Sequence, residues 1–223
     1  TPGPTPTTFT TASAGTWSTA IWTPTNPIAA FATAIVLNNS GSITSTQNLG
    51  SFLFNKLQLT GQAVALSGDR LYLSGTAPAI TGTNNVAHSI TNPLTLDSTT
   101  TVTAPSNTLT LTGNLEGTGA LLKNGAGTLS LSGLSSYNGD TTLDGGTLRY
   151  TTDNPNLKTL ILGATAGSTT FSAIDLTNAS ATTTDLVLQN NNSTANTLTI
   201  GTGKTLTITG SGNLTNSGTL RLV

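Results

Sequence analysis

The 223-residue sequence has neither cysteine nor methionine. Without cysteine, disulfides and thiolate metal centres are excluded as supports for the fold. Charge is nearly as scarce: 7% of residues are Asp, Glu, Lys or Arg, against roughly 25% in an ordinary soluble domain. The formal net charge is −1, so there is no basic stripe for nucleic acid and no polybasic patch for anionic lipid. No apolar run reaches the ~18 residues that a membrane-spanning helix requires. The best candidate, IAAFATAIVL from Ile28 to Leu37, is too short and lacks the basic flank of a signal peptide. Neither nucleic acid nor membrane insertion is expected. A first residue other than methionine points to a processed or trimmed N-terminus.

What fills the space is threonine, about fifty of them, with many serines and asparagines. Threonine is β-branched, which suits a pleated, half-exposed surface and disfavours helix. Residues 1–16, TPGPTPTTFTTASAGT, carry three prolines and few apolar side chains, so an extended arm or linker is expected there. Residues 17–223 are then expected to form a single domain. Its start brings both tryptophans, Trp17 and Trp22. Large aromatics of this kind cover one end of a β core more often than they form a carbohydrate-stacking platform.

Beyond residue 50, short strand signals recur: LFNKLQLTG, DRLYLSG, NTLTLTG, GTLSLSG, GTLRY, NTLTIG and GTLRLV among them. Apolar and polar residues alternate, and a turn follows. Leu109 and Leu111 recur as Leu129 and Leu131 twenty residues on, and Leu129 recurs as Leu148 nineteen residues on. Leu198 reaches Leu220 after twenty-two, with Leu206 between. A period near twenty with two or three short strands per repeat is the mark of a solenoid. One coil cannot bury its leucines alone, whereas stacked coils form a continuous aliphatic column. Each buried leucine then contributes ~1.5–3 kcal/mol before entropy is counted.

The stretch KNGAGTLSLSGLSSYNGDTTLDGGTLRY, Lys123 to Tyr150, closely resembles the autotransporter-associated β-strand repeat, also called the passenger-associated transport repeat. Its lysine, Gly-x-Gly-Thr-Leu-x-Leu-x-Gly strand, tyrosine corner and closing Gly-Thr-Leu fall on Lys123, Gly125 to Gly133, Tyr137 and Gly146 to Leu148. The resemblance implies a right-handed parallel β-helix in secreted bacterial surface proteins. It does not imply one activity. The membrane barrel of a full autotransporter is absent from the sequence, so self-transport is not supported.

Candidate chemistry is sparse. IGTGKTLT, Ile200 to Thr207, suggests a phosphate loop, but the glycine required five residues before Gly203 is Leu198, and a strand pattern follows in place of a helix. The lone histidine, His88, has no recognisable catalytic partners and no cysteine with which to share zinc. Asp140 and Asp144 flank one corner of the repeat, with Glu116 a coil away. Solvated corner carboxylates are expected in preference to a polysaccharide-cleaving pair, and the calcium-roll nonapeptide is missing. Thr-x-Thr ranks raise ice binding, yet Thr110 gives way to Ser130 and then Arg149. LQNNNS, Leu188 to Ser193, marks an asparagine-rich corner. No catalytic, metal or cofactor site is expected.

The sequence therefore points to a non-enzymatic extracellular structural module, with two alternatives: a carbohydrate- or surface-binding adhesin, and a polysaccharide-active enzyme. Solenoid ends are templates of unpaired backbone groups, and NSGTLRLV reads as a strand without a cap. Head-to-tail self-association into filaments is the expectation, through Trp17, Trp22, Leu220, Leu222 and Val223, with the proline-rich arm as a strap. A surface glycan is the other partner considered.

Overall fold

Alternation along each strand sets which side chains turn inward. In Thr33–Asn39 (TAIVLNN), Ile35 and Leu37 are buried while Ala34 and Val36 are half-exposed. The same period of two recurs in Phe52–Phe54, Leu71–Leu73, Thr108–Leu111 and Thr141–Asp144. A computed structural model describes residues 7–163, 171–188, 196–210, 214–216 and 220–222. Among these the structure is all β, without helix.

Consecutive strands do not pair with each other. They are dealt out to different sheets, and every named strand pairs in parallel with one a full coil away. One sheet runs from Thr7–Thr11 through Thr33–Asn39, Lys56–Gly61 and Thr141–Asp144 to Leu206–Ile208. A second runs from Gly15–Thr16 through Thr108–Leu111 and Gly146–Tyr150 to Leu220–Leu222. A third holds four short strands, Phe52–Phe54, Leu71–Leu73, Leu94–Leu96 and Leu115–Gly117. This is a parallel β-solenoid of about 8 turns, ~40 Å long at the usual strand spacing. The twenty-residue coil holds in the centre, where Lys123, Leu143 and Leu162 are register partners 20 and 19 residues apart. Toward both ends the coils lengthen, and Phe9 to Ile35 and Leu162 to Leu188 each span 26.

The core consists of columns. His88, Leu109, Leu129, Leu148, Ile174 and Leu198 stack in register along the second sheet, and Leu111, Leu131 and Tyr150 form the neighbouring column. All nine are buried. Two expectations change. The partner of Leu198 is Leu222, whereas Leu220 stacks on Asn196, because the last coils are longer than the period suggested. Leu206 belongs to the first sheet, stacked on Ala181 and half-buried against the core.

Within the stretch 1–16, expected as an extended arm, residues 7–11 and 15–16 are strands of the solenoid. Thr7–Thr11 pairs along its length with Thr33–Asn39, and Gly15–Thr16 pairs with Ile43–Gln47. Phe9 and Thr11 face inward and are buried. One aromatic at the correct parity suffices to recruit a threonine strand whose backbone finds a complete parallel partner. Residues 1–6 lie outside the described residues. Trp17 and Trp22 are likewise committed to the core: their rings meet edge-on at 5.4 Å, and Trp17 meets Phe52 at 5.3 Å. The Trp17 Nε1–H donates to Ser45 Oγ at 2.9 Å and that of Trp22 to the Trp17 carbonyl at 3.0 Å. Buried and fully engaged, these rings are not a docking face. Leu220 and Leu222 lie in a strand, and Val223 falls outside the described residues.

Candidate functional site

The repeat-like stretch contains a charge in the core. In Leu121–Asn124 the inward positions are Leu121 and Lys123, and Lys123 stacks between Val102 and Leu143 with 0% of its surface exposed. Its ammonium donates to three carbonyls, Asn124 at 3.0 Å, Gly125 at 2.6 Å and Gly145 at 3.0 Å. An ammonium has three N–H donors, so all are satisfied. Burial pushes its pKa down from 10.5 to about 8. Lys123 thus ties the corner at Gly125 to the next one at Gly145. The signal was present in the sequence, since position 123 has the parity of Leu121, but a charge normally faces solvent.

The tyrosine corner is internal as well. Tyr137 is buried, its hydroxyl 2.5 Å from Thr141 Oγ1. Burial raises its pKa to about 12 and that of Tyr150 well above the usual value. Asparagines support other corners. Asn154 accepts from the Ser135 N–H at 2.8 Å, and Asn55 donates to the Ser74 and Thr76 carbonyls at 2.8 and 3.0 Å.

None of the suspected catalytic groupings comes together. Asp140 precedes the strand Thr141–Asp144 and Asp144 ends it, so four extended residues, ~13 Å, separate their backbones. Glu116 forms an ion pair with Arg70 at 2.8 Å across two coils. His88 lies in the leucine column, where its Nδ1 accepts from the Val64 N–H at 3.2 Å, and burial lowers its pKa. Among the described residues no group of three His, Asp or Glu is placed to hold a metal ion. Gly201 to Lys204 forms a turn closed by a 3.0 Å backbone bond, and the strand Leu206–Ile208 follows, so no helix N-terminus faces a phosphate. The threonine rank is broken in register: Thr110, Ser130 and Arg149 stack in line, and Arg149 pairs with Asp175 at 2.7 Å. The asparagine run at 190–192 lies outside the described residues.

Among the grooves on the outer face, two are of nearly equal size. One, of about 520 Å³, lies over the first sheet against Phe31, a residue 60% exposed. Ala34 and Val36 lie under it, with Lys56, Gln58 and Thr76 along it. The other, of about 510 Å³, is lined by Asn138, Asn156, Lys158 and the threonines 182, 184 and 209, beside the buried Tyr137. Sequence reading overlooked Phe31 because it lies within an apolar run that looks like core.

A buried lysine, an internal tyrosine corner and paired glycine turns on consecutive parallel coils define residues 121–149, and this stretch matches the passenger-associated-transport-repeat family. The chain carries a passenger-associated transport repeat at residues 121–149. Over 161 residues, 68% of its length, it is 31% identical to the adhesin BmaC autotransporter of Brucella suis biovar 1 (strain 1330). The chain spans 4% of that protein's length. No solved structure matches. Within the transport repeat the glycines have two separate causes. Gly125 and Gly146 have positive φ, 83° and 69°, where side chains are strained. Gly127, Gly133 and Gly139 lie so close to the previous coil that a Cβ would overlap its backbone.

Proposed function

We propose that the chain is a non-enzymatic segment of a surface-displayed bacterial passenger of the adhesin type. The observation that carries this reading is the division of labour between the two sides of each strand. Inward positions form unbroken columns over about 8 turns, while outward positions hold threonine, serine, alanine and few charges. Such a stack presents side chains at fixed spacing on a rigid support, as attachment requires. The similarity to an autotransporter adhesin supports the same reading and implies a secreted or cell-surface location. The test is saturable attachment of the purified chain to cultured cells or extracellular-matrix coatings, unchanged by Asp140→Asn. Turnover of an acidic polysaccharide that disappears with Asp140→Asn or Asp144→Asn would replace this reading with a lyase or hydrolase.

A finer reading is that copies stack end to end as filaments. Parallel coils that continue one another and a net charge of only −1 favour such stacking. With Trp17 and Trp22 buried and Thr7–Thr11 in the first sheet, contact would be between strand edges and not through an aromatic face or a long strap. Concentration-dependent sedimentation with filaments in negative stain is the expected result; a monomer at high concentration would refute it.

A further inference from the structure

We propose that the groove under Phe31 is a glycan subsite holding one pyranose ring that bears a carboxylate. This rests on the adhesin reading and names its ligand class. The groove results from small side chains at outward positions. Register places Ala34, Lys56 and Ala79 in one outer column and Val36, Gln58 and Thr81 in the next. Alanines on both sides of Lys56 leave its stem and ammonium standing over a low floor. At about 520 Å³ the space is within the ~300–1,000 Å³ of small-ligand sites.

Its walls are fixed before any ligand arrives. The turn carrying Phe31 is held by the Ala30 N–H on the Leu53 carbonyl and the Thr33 N–H on the Ala30 carbonyl, both 3.0 Å. The opposite loop is clamped by Asn55, which donates to Ser74 and Thr76. Between them Gly75, with φ of 89°, lies where any Cβ would overlap the Phe31 carbonyl oxygen. The loop and the turn are therefore interlocked, and Phe31 presents its ring from a rigid base.

The chemistry then matches a sugar acid. An exposed aromatic face takes the C–H face of a pyranose, and the Gln58 amide and Thr76 hydroxyl are suited to ring hydroxyls. Lys56 carries the only charge among the lining residues. An anionic substituent therefore meets attraction with no carboxylate lining the groove to oppose it. The second groove, by Asn138 and Lys158, is similar in size but exposes no aromatic ring; stacking has no surface there.

The experiment is a ¹⁵N NMR titration of the intact chain with hyaluronan tetrasaccharide, 3′-sialyllactose and neutral chitotetraose. The first two carry the carboxylate on a uronic and a sialic acid, so their relative affinity identifies the source. We expect saturable shifts at the amides of Phe31, Lys56 and Thr76. Phe31→Ala should weaken binding by roughly three- to tenfold, and Lys56→Gln should abolish the preference for acidic over neutral sugar. Both side chains are exposed, so unchanged melting curves are expected for the variants. Absence of shifts at these amides with millimolar sugar, or affinities unchanged in both variants, would overturn the subsite. Cell attachment persisting after such a result would leave the adhesin reading standing. Sugar binding in the groove without any attachment to cells or matrix would sink that reading instead.

Discussion

Substituting methionine for Lys123 should remove a specific pH dependence of stability. In the folded chain the ammonium is buried and its pKa is pushed down to about 8; unfolded, it returns to 10.5. Well below pH 8 both states hold the proton, and Lys123 contributes no slope. Between about 8 and 10.5 the unfolded chain holds the proton while the folded chain releases it. The unfolded state then binds more protons, so stability rises with pH across that window. Integrated from pH 7.5 to 9.5, the gain is ~2 kcal/mol. The carbonyls of Asn124, Gly125 and Gly145 favour the charged form and make this an upper value. Tyrosine does not obscure the rise: Tyr137 and Tyr150 have raised values, and their effect, a loss of stability, begins as pH passes the unfolded value of 10.0. Urea denaturation of the parent and of Lys123→Met at pH 7.5, 8.5 and 9.5 measures the effect. The parent should gain stability and the variant should not. An equal rise in both proteins would refute Lys123 as its source.

Leu131→Asp, which buries a carboxylate between Leu111 and Tyr150, should cost several kcal/mol and unfold the chain, read by circular dichroism. Gly146→Ala sets a Cβ against the Gly127 carbonyl at a positive φ of 69°, and should lower the urea midpoint by an amount equivalent to ~2 kcal/mol or more. His88, its pKa lowered by burial, takes up its proton less readily folded than unfolded. Stability should fall as pH drops through 6.5, and melting curves of His88→Gln at pH 7 and 5 should lose that fall. Glu116→Gln breaks a partly exposed ion pair with Arg70 and should cost less than ~1 kcal/mol.

The amino-acid sequence by itself determined the class of fold, because the period of two and the period near twenty are local facts. Leu109, Leu129 and Leu148 were legible as one column, since identical side chains at equal parity can only stack if the coils stack. Composition likewise excluded basic, disulfide-bonded and helical membrane-spanning proteins before any coordinates. Tertiary structure decided what parity alone could not. Thr7–Thr11 became a strand because Thr33–Asn39 offers it a full backbone partner, against its threonine- and proline-rich context. Lys123 turned inward because the carbonyls of three residues, one of them twenty-two positions away, converge on its ammonium. Leu198 found Leu222, not Leu220, because coil length drifts with the loops between strands. The groove at Phe31 exists only where residues 31, 34, 56 and 75 meet, from three separate segments of the chain. Periodicity fixes which way a side chain points; what it meets depends on loop lengths and neighbouring coils, and these are long-range.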